Sequence, residues 1–184
     1  MIPDTATPAA RTLQYLKQPY GELAWLINAH AVNQPERIAL DDGEERLTWG
    51  DTAALVHRIA AQLQAEGLKK GQAVSILGTT TIRYALVYLG AIAAGGCAAP
   101  LTTSATSQQL VDMMTDSGAG HLFIDHTKRA ELADSGVALP NLKHVLMDAP
   151  DDSDGAPFLF DWMAVEGATP VEAETGPNDP YNII

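Results

Sequence analysis

The chain has 184 residues, 46% hydrophobic and 18% charged, with a formal net charge of −12 at pH 7. That is length for one domain with a real core, or a core plus a tail, and the composition excludes a disordered polymer. From His144 onward there are nine acidic residues and no Lys or Arg, so the first 143 residues sit near −3. An acidic chain without basic clusters argues against nucleic acid and anionic membrane surfaces as partners.

Residues 1–21 carry prolines and no periodicity and read as an extended arm. From Glu22, residues Leu23, Leu26, Ile27 and His30 share one helical face until Pro35 ends it, with His30 at the edge of a core. Arg37–Asp41 and Glu45–Thr48 flank Asp42-Gly43, a strong hairpin signal. Thr48 and Asp51 form a capping box. The helix that follows buries Thr52, Leu55, Val56, Ile59 and Leu63 and turns His57, Arg58, Gln62 and Glu66 to water, with Gly67 as its stop. Lys69-Lys70 lies in a turn; two adjacent charges there read as a solvated turn, not a phosphate patch.

Ala73 to Leu101 is the centre of the chain: an apolar run, a small polar turn, a helical pattern, Gly95-Gly96 and a second apolar run. This is a βαβ signature with a right-handed crossover. The helix puts Ile82, Ala85, Leu86, Leu89, Ile92 and Ala93 on one face, while Val87, Tyr88 and Ala91 make the other face hardly more polar. Such a helix must be covered on two sides. Cys97, the single cysteine, excludes an internal disulfide and sits in an apolar strand pattern as a buried, inert thiol.

Thr106-x-x-Gln109 is another capping box, Leu110, Met113 and Met114 form the next apolar face, and Gly118 stops that helix. His121–Ile124 and Leu142–Met147 read as strands, with a short polar helix at Thr127–Ala133 between them. Asp148 to Pro157 is a loop; Asp152-x-Asp154-Gly155 supplies only a piece of a calcium loop and none of its flanking helices. Phe158, Phe160, Trp162 and Met163 form a short aromatic segment, and Tyr181–Ile184 reads as the start of a buried, truncated strand. The expected division is an arm over 1–21, an α/β subdomain over 22–147 and an acidic, aromatic tail over 148–184. No run of 18 apolar residues occurs and the N-terminus lacks a cationic start before an apolar stretch, so a soluble, cytoplasmic protein is expected.

Chemistry-bearing motifs are missing. The turn after Ala73–Leu77 has one glycine, Gly78, then three threonines, which falls short of a dinucleotide fingerprint. There is no G-x-x-x-x-G-K-[ST] loop, G-x-S-x-G elbow or H-E-x-x-H pair, and the five histidines lack metal-pair spacing. Read from the residues alone, the fold is α/β: a mostly parallel βαβ sheet flanked by helices, with a small N-terminal hairpin.

Leu47-Thr48-Trp49-Gly50-Asp51 with Ala54-Leu55, then Leu89 to Leu101 (LGAIAAGGCAAPL), then Asp116-Ser117-Gly118-Ala119-Gly120, stand in order along the chain. Together they resemble the N-terminal part of the adenylate-forming superfamily, the acyl-CoA synthetases and 4-coumarate–CoA ligase-like enzymes, over roughly residues 22–184. The resemblance implies the N-terminal subdomain of an ATP-dependent carboxylic acid–CoA ligase that uses ATP, Mg²⁺ and coenzyme A. It also implies that Asp179-Pro180-Tyr181-Asn182-Ile183-Ile184 leads into a phosphate loop lying beyond Ile184. On this reading no residue of the chain is catalytic, cofactor-binding or metal-binding, and the piece is inactive by itself. Its partners are then the remainder of the ligase and, for the whole enzyme, a carboxylic acid. An apolar patch or open sheet edge is expected as a route to self-association. The alternative is a natural, non-catalytic module that kept the ligase-like fold for binding.

Overall fold

The computed structural model describes residues 7–17, 21–151 and 155–184. The N-terminal stretch is not an extended arm throughout: α1 (Pro8–Tyr15) is helical. Thr7 caps it by accepting from the Ala10 amide at 3.3 Å, and Pro8 opens the first turn, where no amide hydrogen is needed. Proline read as a breaker is here a helix start. Residues 1–6 and 18–20 of the expected arm lie outside the described residues. The next helix, α2 (Leu23–Asn33), is held to α1 by Trp25 stacked on Tyr15 at 3.7 Å.

The hairpin forms as expected. β1 (Ile38–Asp41) and β2 (Arg46–Thr48) pair antiparallel around Asp42 and Gly43, with Gly43 at φ 91°. Thr48 then caps α3 (Trp49–Ala65) in a complete capping box: the Asp51 amide donates to its hydroxyl at 3.1 Å, and its own amide donates to Asp51 at 3.2 Å. His30 stacks on Trp49 at 4.5 Å, the core-edge position its helical face implied.

Four parallel strands follow: β3 (Ala73–Leu77), β4 (Cys97–Pro100), β5 (His121–Ile124) and β6 (Lys143–Leu146), in the order β4-β3-β5-β6. Helices α4 (Ile82–Ala93), α5 (Ser107–Ser117) and α6 (His126–Asp134) connect them. Side chains alternate between the two faces of the sheet, as strand geometry requires. Val74, Ile76, Ala98, Phe123 and Val145 pack with α3, α4 and the short α7 (Leu159–Trp162). Leu77, Leu122, Ile124 and Leu146 pack with Leu110 and Met114 of α5 and Leu132 of α6. A sheet apolar on both faces and covered on both is the parallel α/β arrangement.

The expected two-sided cover of α4 is present, but its deepest face is not the expected stripe. Ile82, Leu86, Val87, Gly90, Ala91 and Ala93 are buried, while Ala85, Leu89 and Ile92 are only half-buried. The helix is rotated so that Gly90 meets α3. A Cβ on Gly90 would lie 2.4 Å from Cγ2 of Ile59, so only glycine permits this approach. Gly118, at φ 62°, closes α5 in the left-handed conformation expected of a helix stop. Cys97 is fully buried, and burial pushes its thiol pKa up.

After α7 the chain returns across the outer side of α3 and α4 as an extended strap. Arg58 donates to the Ala164 carbonyl at 2.6 Å, and Gln64 exchanges two 2.8 Å hydrogen bonds with the backbone of Val171. The Thr175 hydroxyl donates to Glu22 at 2.8 Å, and Lys70 pairs with Asp179 at 2.8 Å. The strap ends beside edge strand β4, where the Ala98 amide donates to Tyr181 and the Ile183 amide donates back to Ala98. Tyr181–Ile184 therefore aligns with the sheet as expected, but Tyr181, Ile183 and Ile184 are exposed there, not buried.

Candidate functional site

In an open, doubly wound sheet, ligands bind at the carboxyl ends of the strands where the strand order reverses. Here the chain runs from β3 to β4 on one side and then crosses to β5 on the other, so the reversal lies between β3 and β5. The groups there are Gly78 to Thr81, entering α4, and Asp125 with His126, entering α6. A phosphate at this turn would accept hydrogen bonds from backbone amides at the start of α4.

Three of the amides around this turn are already engaged. Asp125 is buried, and its carboxylate accepts from the Thr79 amide at 2.9 Å through one oxygen and from the Lys128 amide at 2.8 Å through the other. Asp42, at the tip of the hairpin, reaches over to accept from the Ile82 amide at 2.9 Å. That bond, with another from the Glu45 amide, holds the Asp42 carboxyl below its ordinary pKa. Thr81 accepts from the Tyr84 amide at 3.3 Å. A Cβ on Gly78 would stand 2.8 Å from the Asp125 carboxylate, so glycine here serves the protein's own carboxylate instead of a ligand's close approach. The protein's own side chains thus take up the Thr79, Ile82 and Tyr84 amides, which a nucleotide phosphate at this turn would have to win from Asp125, Asp42 and Thr81.

The rim beyond it is also self-satisfied. Asp148 accepts from the ring Nδ1 of His126 at 2.7 Å, Asp151 pairs with Arg129 at 3.1 Å, and Arg83 donates to the Asp148 carbonyl at 2.8 Å. These contacts tie the acidic loop to α6 and α4. The calcium-like residues Asp152 and Asp154 lie outside the described residues. Among the described residues, no group of three or more His, Cys, Asp or Glu side chains is arranged to hold a metal ion. Lys70 is committed to Asp179, and Lys69 is exposed.

At the opposite, amino end of the sheet lies a polar cluster built on a residue the helical pattern had turned to water. Glu66, just past the end of α3, is only 19% exposed in its side chain. It accepts from His121 at 2.9 Å, Lys143 at 2.8 Å, Trp162 at 2.7 Å and Gln62 at 3.1 Å. Burial by itself would raise its pKa, but the donors from Lys143, His121, Gln62 and Trp162 outweigh this and hold it at about 2. A carboxylate so saturated has no lone pair free for proton transfer; it joins α3, β5, β6 and α7. The wet-face assignment of Glu66 is thus corrected. Arg58 and His57 are corrected with it, being half-buried and bonded to Ala164 and Asn28. The faint signal in the sequence was a lone glutamate next to a helix-stopping glycine; its partners come from distant segments.

Fold and site together define a doubly wound α/β scaffold whose ligand-binding turn is occupied by its own side chains. Residues 27–184 match the family described as AMP-binding enzyme. The chain belongs to that family of adenylate-forming ligases and corresponds to their N-terminal portion. It is 29% identical over 158 residues to a protein of Humulus lupulus described as probable CoA ligase CCL9, a match covering 86% of this chain and 30% of that one. It is 34% identical over 95 residues to malpibaldin synthetase of Mortierella alpina, covering 51% of this chain and 2% of the other. The chain therefore spans less than a third of the length of these relatives.

Two solved structures share the fold. The N-terminal domain of FACL13 from Mycobacterium tuberculosis superposes with a TM-score of 0.74 at 22% identity, over 89% of this chain and 41% of that one. The anthranilate CoA ligase AuaEII, crystallised with anthranoyl-AMP, gives 0.79 at 16% identity, over 90% and 32%. Among the described residues, no helix is long and apolar enough to cross a membrane.

Proposed function

We propose that this chain is the N-terminal subdomain of an ATP-dependent carboxylic acid–CoA ligase, and that these 184 residues alone do not catalyse its reaction. In the whole enzyme, a carboxylate oxygen would attack the α-phosphorus of ATP and expel pyrophosphate, and the thiol of coenzyme A would then displace AMP from the acyl-adenylate. Such a transfer needs preorganised donors and a metal ion around the phosphates. The observation that carries the inactivity is the sealed turn: the Thr79, Ile82 and Tyr84 amides already serve Asp125, Asp42 and Thr81. The match over residues 27–184 and the small share of each relative that it covers support a longer parent chain. The division at residues 21 and 147 and a cytoplasmic location belong to the same proposal and rest on the sequence pattern, while a part in fatty acid metabolism rests on the resemblance.

ATP–pyrophosphate exchange tests this directly. The 184-residue chain should give no exchange above background with any carboxylic acid, and a chain extended past Ile184 through a glycine-rich loop should give it. Exchange by the short chain would overturn the inactivity, and a stop codon directly after Ile184 would overturn the longer parent. A variant of the proposal places the acceptor thiol on a carrier protein instead of coenzyme A. Adenylate formation without acyl-CoA product would select it.

A further inference from the structure

Between α2, the C-terminal turn of α4 and the strap lies a cleft of about 390 Å³, the size of a small organic molecule. Its walls are largely apolar, with Leu23, Trp25, Ile92, Pro170 and Tyr181 among them. The stack on Tyr15 fixes the Trp25 ring, so this wall is preorganised. The cleft lies at the amino end of β4, beside Gly95 and Gly96, and opposite the sealed turn.

Its charge is one-sided. Glu22, Glu172 and Asp179 line it, and among the described residues no Lys or Arg does. Asp179 is neutralised by Lys70. The Glu22 carboxylate accepts from the neutral Thr175 hydroxyl, and among the described residues neither Glu22 nor Glu172 is paired with a cation. His57, also in the lining, is bonded to Asn28 at 2.8 Å, and burial lowers its pKa, so it supplies little compensating charge near neutral pH. Two uncompensated carboxylates beside an apolar, aromatic wall repel a carboxylic acid or a phosphate. They attract a positive charge carried on an apolar body, which an aromatic ring face also favours.

We propose that this cleft binds a small organic cation, a primary ammonium on an aromatic or short aliphatic body. The body lies against Leu23, Trp25 and Ile92, and Glu22 and Glu172 meet the charge. This goes beyond the ligase reading and does not depend on it. The test titrates the 184-residue chain with phenethylammonium, with 2-phenylethanol as the neutral probe and 3-phenylpropionate as the anionic one. Calorimetry and the indole N–H resonance of Trp25 provide the readouts. Saturable binding of the ammonium alone is expected, moving the Trp25 resonance and weakening as salt is raised. Replacing both carboxylates (Glu22→Gln with Glu172→Gln) should weaken it about tenfold while the circular dichroism spectrum stays unchanged. The proposal is overturned by equal binding of the alcohol, by salt-independent binding, by an unaltered affinity in the folded double variant, or by no saturable signal at millimolar ammonium.

Discussion

Replacing Glu66 with glutamine tests whether the amino end of the sheet is held by a charge or merely by shape. The substitution keeps the volume but removes the negative charge and turns one acceptor into a donor, which faces the donors of Lys143, His121, Trp162 and Gln62. In the parent, the carboxyl is held at about 2 against an ordinary value of 4.5. At about 1.4 kcal/mol per pKa unit, that difference corresponds to roughly 3 kcal/mol, and partial exposure of the cluster reduces it to about 2–3 kcal/mol. Glu66→Gln should therefore lose about 2–3 kcal/mol in urea unfolding at pH 7, and melt about 5–10 °C lower at this chain length. Because the folded-state pKa lies below the unfolded one, the contribution is complete above about 4.5 and is lost as the pH falls through about 2. The stability of the parent should thus decline through that window more steeply than that of the variant. A variant within about 0.5 kcal/mol of the parent, with an identical acid profile, would refute the idea that Glu66 is an ionic keystone.

Three further outcomes follow from packing and hydrogen bonding. Gly90→Ala should destabilise by about 1–3 kcal/mol, because the new methyl meets fully buried Ile59; a double-mutant cycle with Ile59→Ala should show coupling between the two sites, and additive effects would refute the contact. Asp125→Asn should lose about 1–2 kcal/mol by chemical denaturation, since its amide group cannot accept from both the Thr79 and Lys128 amides; an unchanged midpoint would show that the seal contributes nothing. Cys97 should react with a thiol reagent only after unfolding, and stoichiometric reaction of the native chain would contradict its burial.

What could be read without the structure was local. The capping boxes of Thr48 with Asp51 and Thr106 with Gln109, and the hairpin turn at Asp42-Gly43, each depend on residues no more than a few positions apart. Their geometry is therefore written in adjacent residues. The same holds for the βαβ order around Ala73–Leu101 and for the ordered motifs that carried the family resemblance. The single glycine at position 78 was legible as a departure from a dinucleotide fingerprint, but its physical role, making room for Asp125, was invisible.

The rest required the tertiary structure, because it depends on which segments topology brings together. Helical periodicity turned Glu66 to water because nothing near it in the chain announces Trp162, 96 residues later, as its partner. Only half of the expected stripe of α4 (Ile82, Leu86 and Ala93) is fully buried, because that helix is apolar on nearly every side; the choice of buried face was made by the close approach of α3 at Gly90. Proline at the head of α1 has opposite meanings in an arm and in a first helical turn, and the Thr7 cap with the Tyr15–Trp25 stack decided between them. Sequence by itself determined the elements from α2 onward, their order and the family. The packed fold alone decided that the phosphate-like turn is closed by Asp42 and Asp125, two carboxylates 83 positions apart that converge on one helix start.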